Sequence, residues 1–172
     1  RSHCDWSSYV CSSDLKRGNS FSLMKSAGTA AAKVILKLIK KQPIIVVCGP
    51  GNNGGDGFIL AEYFRKKDYE IDLFCLHKKN YKGDALKALN QLHIERKSIL
   101  DLKIKKKSIV IDCLFGTGIS RKISGFFRKI IFKINKSKQK TISIDIPSGV
   151  HGDTGKVFGC AIKANETLAL HA

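Results

Sequence analysis

The spacing of apolar positions changes repeatedly along the chain and divides it into alternating helices and strands. From Phe21 to Lys41, apolar Leu23, Met24, Ala27, Ala31, Val34, Ile35, Leu38 and Ile39 recur at helical spacing, with Lys33, Lys37 and Lys40 outside. Ser20 or Ser22 is placed to cap this helix, and Pro43 stops it. Ile44 to Cys48 is a continuous apolar run, the pattern of a strand buried on both faces. Residues 49 to 55 read as loop and Asp56 to Lys67 as helix. Ile71 to Leu76 reads as a second strand and Lys82 to Leu92 as a helix, with Ala85, Leu86, Ala88, Leu89 and Leu92 inward. Ile109 to Asp112 is a third strand. Gly125 to Asn135 is a helix with Phe126, Phe127, Ile130, Ile131 and Ile134 inward. Thr141 to Ile146 is a fourth strand, and Ala169-Leu170 begins a further one.

This alternation predicts an α/β fold: a three-layer αβα, Rossmann-like, doubly wound and mostly parallel sheet with helices on both faces. Such a sheet binds ligands at the carboxyl ends of its strands. The unusual residues fall there, at 49 to 56, 112 to 118 and 145 to 155.

Composition narrows the partners. The 172 residues suit one domain, and 43% apolar content suits a packed core. No apolar run approaches the roughly 20 residues of a membrane helix. The net charge of +17 raises the question of nucleic acid. The lysines are scattered, though, and few aromatics lie among them to stack on bases, which argues for a solvated basic surface. Six cysteines include no C-x-x-C pair and no zinc spacing. Cys48, Cys75 and Cys113 fall in or beside strands, as reduced fillers do, which suggests a reducing, cytoplasmic setting. Residues 1 to 15, "RSHCDWSSYVCSSDL", show neither period nor secretory core, and read as a foreign-looking or disordered stretch ahead of one domain spanning 16 to 172.

The first loop, in "IIVVCGPGNNGGDGFILAEYF", contains Gly49-x-Gly51-x-x-Gly54 after a strand. Its backbone N–H groups and the following helix start favour an anion. Two features oppose an ordinary nicotinamide fingerprint. Asp56 sets a carboxylate where pyrophosphate would lie, and the second strand ends in Cys75-Leu76-His77 without a ribose-binding acid. No Gly-Lys-Ser/Thr follows, so a P-loop is excluded. Asn53 offers an amide oxygen to a hard monovalent cation; equally, Asn52 and Asn53 fit as turn residues. The second loop, "IDCLFGTG", puts Asp112 at a buried strand end, as a turn cap, a cation ligand or a proton-transfer group. Gly116, Thr117 and Gly118 permit close approach of phosphate or ribose. The third, "SIDIPSGVHGDTG", carries Asp145, Pro147 and Ser148, while Asp153, Thr154 and Gly155 read as a structural turn.

In order and spacing, "GPGNNGGDG", "DCLFGTG" and "DIPSGVHGDTG" resemble the NAD(P)H-hydrate epimerase family, the YjeF N-terminal domain. "LMKSAG" and "IKANETLAL" are similar to further segments of that family, so the resemblance covers about residues 20 to 170. It implies a repair isomerase that interconverts the R and S hydrates of NADH and NADPH (NADHX and NADPHX) for an S-specific, ADP- or ATP-dependent dehydratase. It implies one bound potassium ion and a homodimer. Carried over by position, Asn52, Asn53, Gly54, Gly55, Asp56 and Asp145 would bind the hydrate. Gly116, Thr117, Gly118, Ile119, Ser120, Arg121 and Lys122 would hold its phosphate and ribose. Asn53, Asp112 and Ser148 would ligate potassium. Epimerising a carbinolamine carbon needs a group that accepts and returns a proton, for which Asp112 is the candidate, with Lys78 as partner. The chain departs from the family pattern at Lys25, where an acid is usual, and lacks the family's opening helix and closing strands. It therefore reads as truncated at both ends. Bacterial relatives often fuse the dehydratase to this domain, and the sequence leaves open whether one follows here.

Two other classes compete. A non-catalytic module of the same fold would act as an RNA- or protein-associated scaffold, but such a module tends to lose the loop polar residues that stand here. A nicotinamide-dependent oxidoreductase is disfavoured by Asp56 and by the missing acid after the second strand.

Overall fold

A computed structural model describes residues 20–170. The expectation for residues 1 to 15 lies outside them, as do Cys4 and Cys11. Helix α1, Ser20–Leu38, leads into strand β1, Ile44–Cys48. Then come α2 (Asn52–Arg65), β2 (Ile71–Cys75), α3 (Gly83–Asn90), β3 (Arg96–Ser98) and β4 (Ile109–Cys113). The chain continues through α4 (Gly125–Ser137), β5 (Lys140–Ile144) and β6 (Glu166–Leu168). The six strands form one sheet in the order β3-β2-β1-β4-β5-β6, and every pairing is parallel. The strands start at the middle of the sheet and wind first to one edge, then to the other. The reversal falls between β1 and β4, where a doubly wound sheet opens a crevice.

The all-apolar strands are explained by burial on both faces. Ile44, Val46, Cys48, Ile109, Ile111 and Cys113 face the core beneath α1, α2 and α3. Ile45, Val47 and Val110 face the opposite core, where α4 inserts Ile130, Ile131 and Ile134. All cysteines among the described residues are free and buried, in keeping with a filler role.

The structure corrects several boundaries. The expected loop 49 to 55 is already helical from Asn52, because Gly51 makes the turn in extended backbone. The glycines that lower helix propensity there are demanded by packing: a Cβ at Gly54 would overlap the Gly49 carbonyl, and one at Gly57 would press on Cys48 Sγ. β3 is not visible in the sequence, since Arg96, Lys97 and Ser98 are all exposed and carry no apolar alternation. The last strand lies at Glu166–Leu168, ahead of the expected Ala169-Leu170. Phe126 stands exposed at 37%, because α4 turns Ile130, Ile131 and Ile134 inward instead.

Candidate functional site

Three loops meet at the carboxyl ends of β1, β4 and β5. Asp112 is fully buried in β4, in register with Val47 on one side and Ser143 on the other. Its carboxylate receives four donors. Oδ1 accepts from Ser148 Oγ at 2.6 Å and the Leu114 amide at 3.2 Å. Oδ2 accepts from Ser143 Oγ at 2.7 Å and the Ser148 amide at 3.0 Å. Desolvation by burial pushes the Asp112 carboxyl above its usual range, and these donors oppose that rise. Ser148, itself fully buried, also accepts from the Phe115 amide at 2.9 Å. Asp112 and Ser148 therefore lock the β4 and β5 loops together. Sequence reasoning misses Ser143; its signal is a polar residue inside an apolar strand, and only the register sets it beside Asp112.

Asn53 and Asp56 sit three residues apart in the first turns of α2 and so share a helix face. Asn53 is only 6% exposed, yet neither its Oδ1 nor its Nδ2 has a hydrogen-bond partner. An unpaired buried amide is costly, and protein interiors rarely keep one. Asp145 follows β5 in left-handed backbone, at φ 69°. Its Oδ2 accepts from the Thr117 amide at 3.0 Å and closes over Gly116, where an added Cβ would lie 2.5 Å from that oxygen and 3.5 Å from Asn53 Cβ. The same geometry draws Asn53, Gly116 and Asp145 into one cluster. Burial, and then the charge of Asp145, push the Asp56 carboxyl up to about 7. Gly118, Ser120, Arg121 and Lys122 lie on the exposed loop before α4, and Ile119 packs inward against its core. Asn52 is exposed at the helix start, beside Gly54 and Gly55. A Cβ at Gly55 would meet Met24 Cε at 2.7 Å, so that glycine serves the packing of α1 on α2.

Lys78 lies exposed in a short turn of helix after β2, and β1 stands between β2 and β4. Asp153 and Thr154 form the expected turn, closed by the His151 amide on the Lys156 carbonyl at 2.9 Å.

The family described as YjeF-related protein N-terminus matches residues 20–172. The chain belongs to that family. This YjeF-related chain is 34% identical over 151 residues to an NAD(P)H-hydrate epimerase of Lentilactobacillus buchneri, covering 84% of itself and 70% of that protein. It is 34% identical over 165 residues to one of Elusimicrobium minutum, covering 86% and 74%. A bifunctional NAD(P)H-hydrate repair enzyme Nnr of Thermofilum pendens is 38% identical over 161 residues, covering 85% of this chain and 30% of that protein. The chain thus spans about a third of the length of the bifunctional enzymes it matches. In fold it is similar to the crystal structure of yeast ynu0, YNL200c, with a TM-score of 0.73 over 88% of this chain and 71% of that one, at 23% identity. No helix among the described residues is long and apolar enough to cross a membrane.

Proposed function

We propose that this YjeF-related chain is an NAD(P)H-hydrate epimerase, an isomerase acting on hydrated NADH and NADPH. The observation that carries this reading is the cluster at the β1–β4 crevice. There an unpartnered buried amide, Asn53, faces a carboxylate pair, Asp56 and Asp145, beside the buried carboxyl of Asp112. The named epimerase relatives support it.

The chemistry follows from the hydrated ring. Its carbon carries a hydroxyl next to a ring nitrogen. Epimerisation breaks that C–O bond: the hydroxyl takes a proton and leaves as water, while the nitrogen lone pair forms a cationic C=N bond. Water then adds to the opposite face and gives its proton back. Asp56, with its carboxyl near 7, is half protonated at neutral pH and suits both transfers. Asp145 shares its charge with Asp56, and together they stabilise the cationic ring. Asp112 lies fully buried beneath the loops, tied to them through Ser148 and the Leu114 amide, with its carboxyl held above the usual range by burial. Asn53 positions the ring through its amide, and the loop from Gly116 to Lys122 holds the phosphate and ribose.

A potassium ion belongs to the same reading. The orphan Oδ1 of Asn53 fits one, because it lacks the partner that a hard cation would provide, and Asp112 is a fully buried carboxyl whose hydrogen bonds bring no compensating positive charge. Asn53, Asp112 and Ser148 would hold it. It would supply positive charge that compensates the buried carboxylate. A homodimer, and a dehydratase partner fused or separate, are further expectations of this reading; the bifunctional relatives favour the fused arrangement for a longer chain.

The test supplies R-NADHX with an S-specific dehydratase and ATP, and follows recovery of NADH absorbance. Recovery of the R pool above the spontaneous rate, lost in Asp56→Asn and in Asp112→Ala, is expected. A folded protein that never exceeds the spontaneous rate would refute the assignment.

A further inference from the structure

A cavity of about 500 Å³ opens between the end of β2 and the length of the edge strand β3. It is a size suited to a small ligand. Its wall from Leu76 to Lys78 lies on the same sheet edge as the Asp112 cluster, two strand spacings away, or about 10 Å. Half-buried Leu76 and Ile94 give it apolar walls. Lys78 and Arg96 line it and enter no salt bridge among the described residues. Lys97 also lines it, but its ammonium is held by Asp72, and Glu95 is a carboxylate on the wall.

The end of β2 decides what this cavity suits. In a doubly wound dinucleotide fold, an acid there binds the ribose hydroxyls, and a basic residue accommodates a 2′-phosphate. Here β2 runs out through Cys75 and Leu76 into His77 and Lys78, with no acid, and Arg96 stands on the neighbouring strand. A guanidinium can grip a phosphate through two parallel hydrogen bonds. The apolar walls suit an adenine face. With its nicotinamide end among Asn53, Asp56 and Asp145 and the adjoining ribose and phosphate on the loop after β4, the dinucleotide folds back across the ends of β1 and β2 to reach this cavity.

We propose that the cleft between the end of β2 and the edge strand β3 binds the adenosine half of the dinucleotide, with Arg96 and Lys78 on its 2′-phosphate, making NADPHX the preferred substrate. The inference rests on the epimerase reading for its substrate, but not for its binding site.

Two measurements separate them. In calorimetric titrations of the protein, adenosine 2′,5′-bisphosphate should bind about tenfold or more tightly than 5′-AMP, and Arg96→Ala should erase that margin. In the coupled assay, kcat/KM for NADPHX should exceed that for NADHX by a similar factor. Arg96→Ala should remove the difference by raising KM for NADPHX while leaving NADHX turnover unchanged. Arg96→Gln, which keeps the bulk of the exposed side chain, should do the same and guards against a folding defect. Equal affinity for the two nucleotides, or a preference untouched by both variants, would overturn the proposal. A bisphosphate preference lost in Arg96→Ala, in a protein that epimerises neither hydrate, would sustain the cleft and refute the activity.

Discussion

Replacing Asp56 by Asn should make the protein more stable and less active at once. The carboxyl of Asp56 ordinarily titrates near 3.8, and in the fold it is pushed up to about 7 by burial and by Asp145. A folded-state value above the unfolded one means the folded protein resists ionising this group. Well below pH 3.8 the group is protonated in both states and costs nothing. Between 3.8 and about 7 the unfolded chain has released the proton and the folded one still holds it, so stability falls progressively across that window and the loss is complete above about 7. The span from 3.8 to about 7 corresponds to at most about 4 kcal/mol at pH 8. That span is already the net of every interaction of the charge, and partial solvent access to the carboxyl screens it further. Asp56→Asn keeps the shape and removes the charge. It should raise stability by roughly 2–3 kcal/mol at pH 8, or about 5–10 °C in Tm, and by close to nothing at pH 4. Urea unfolding of both proteins at pH 8, 6 and 4 measures this directly, and the hydrate-recovery assay should show activity lost in the same variant. A variant no more stable than the parent at pH 8, or equally favoured at pH 4, would refute the carboxylate-pair reasoning.

Other expectations follow from the same geometry. Ser148→Ala removes the hydroxyl that donates to Asp112 Oδ1 and leaves the Phe115 amide without its acceptor, and should cost roughly 2–4 kcal/mol in chemical denaturation. Gly49→Ala should destabilise by about 3 kcal/mol or more, or prevent folding, because its Cβ would overlap the Leu114 backbone where the β1 and β4 loops cross; soluble yield and Tm read this out. Asn53→Leu fills the same space without orphan polar atoms, so thermal unfolding should show no loss and about 1 kcal/mol of gain, while epimerisation is abolished. Potassium, tested against sodium, should raise the Tm of the parent but not of Asn53→Leu.

The parallel sheet is readable because its strands are buried on both faces and become continuous apolar runs, as in Ile44–Cys48 and Ile109–Cys113. β3 is not readable, because an edge strand of three exposed residues is made by pairing with Leu73, Phe74 and Cys75 rather than by its own pattern. The start of α2 escapes the sequence for a related reason: glycine propensity argues against a helix, and only the contacts of Gly54 and Gly57 with the β1 and β4 residues show why glycine is required. Asp112 stands out as a carboxylate closing an apolar run. Its partner Ser143 does not, since a cross-strand neighbour is defined by register alone. For Lys78 the sequence gives the strand it follows but not the order of strands, which sets β1 between β2 and β4.

The features that mark the site share one energetic property. Asp112 carries a buried carboxyl that resists ionisation, Asp56 is raised by burial and by its neighbour, Asn53 keeps two polar atoms without partners, and Asp145 is held at positive φ. Each costs the fold stability, and none belongs to the apolar cores on the two faces of the sheet. The three side-chain costs, at Asp112, Asp56 and Asn53, would be relieved by an occupant that brings positive charge and polar partners, while the strained backbone of Asp145 holds its carboxylate in place beside them. The cationic ring formed when the hydrate loses its hydroxyl has this character, and the ground-state hydrate has less of it. Interactions that strengthen only as charge develops accelerate the chemical step rather than merely tightening binding. The instability of the crevice and its catalytic power then have one source. Relieving the first by substitution must therefore diminish the second, as Asp56→Asn and Asn53→Leu are each expected to show.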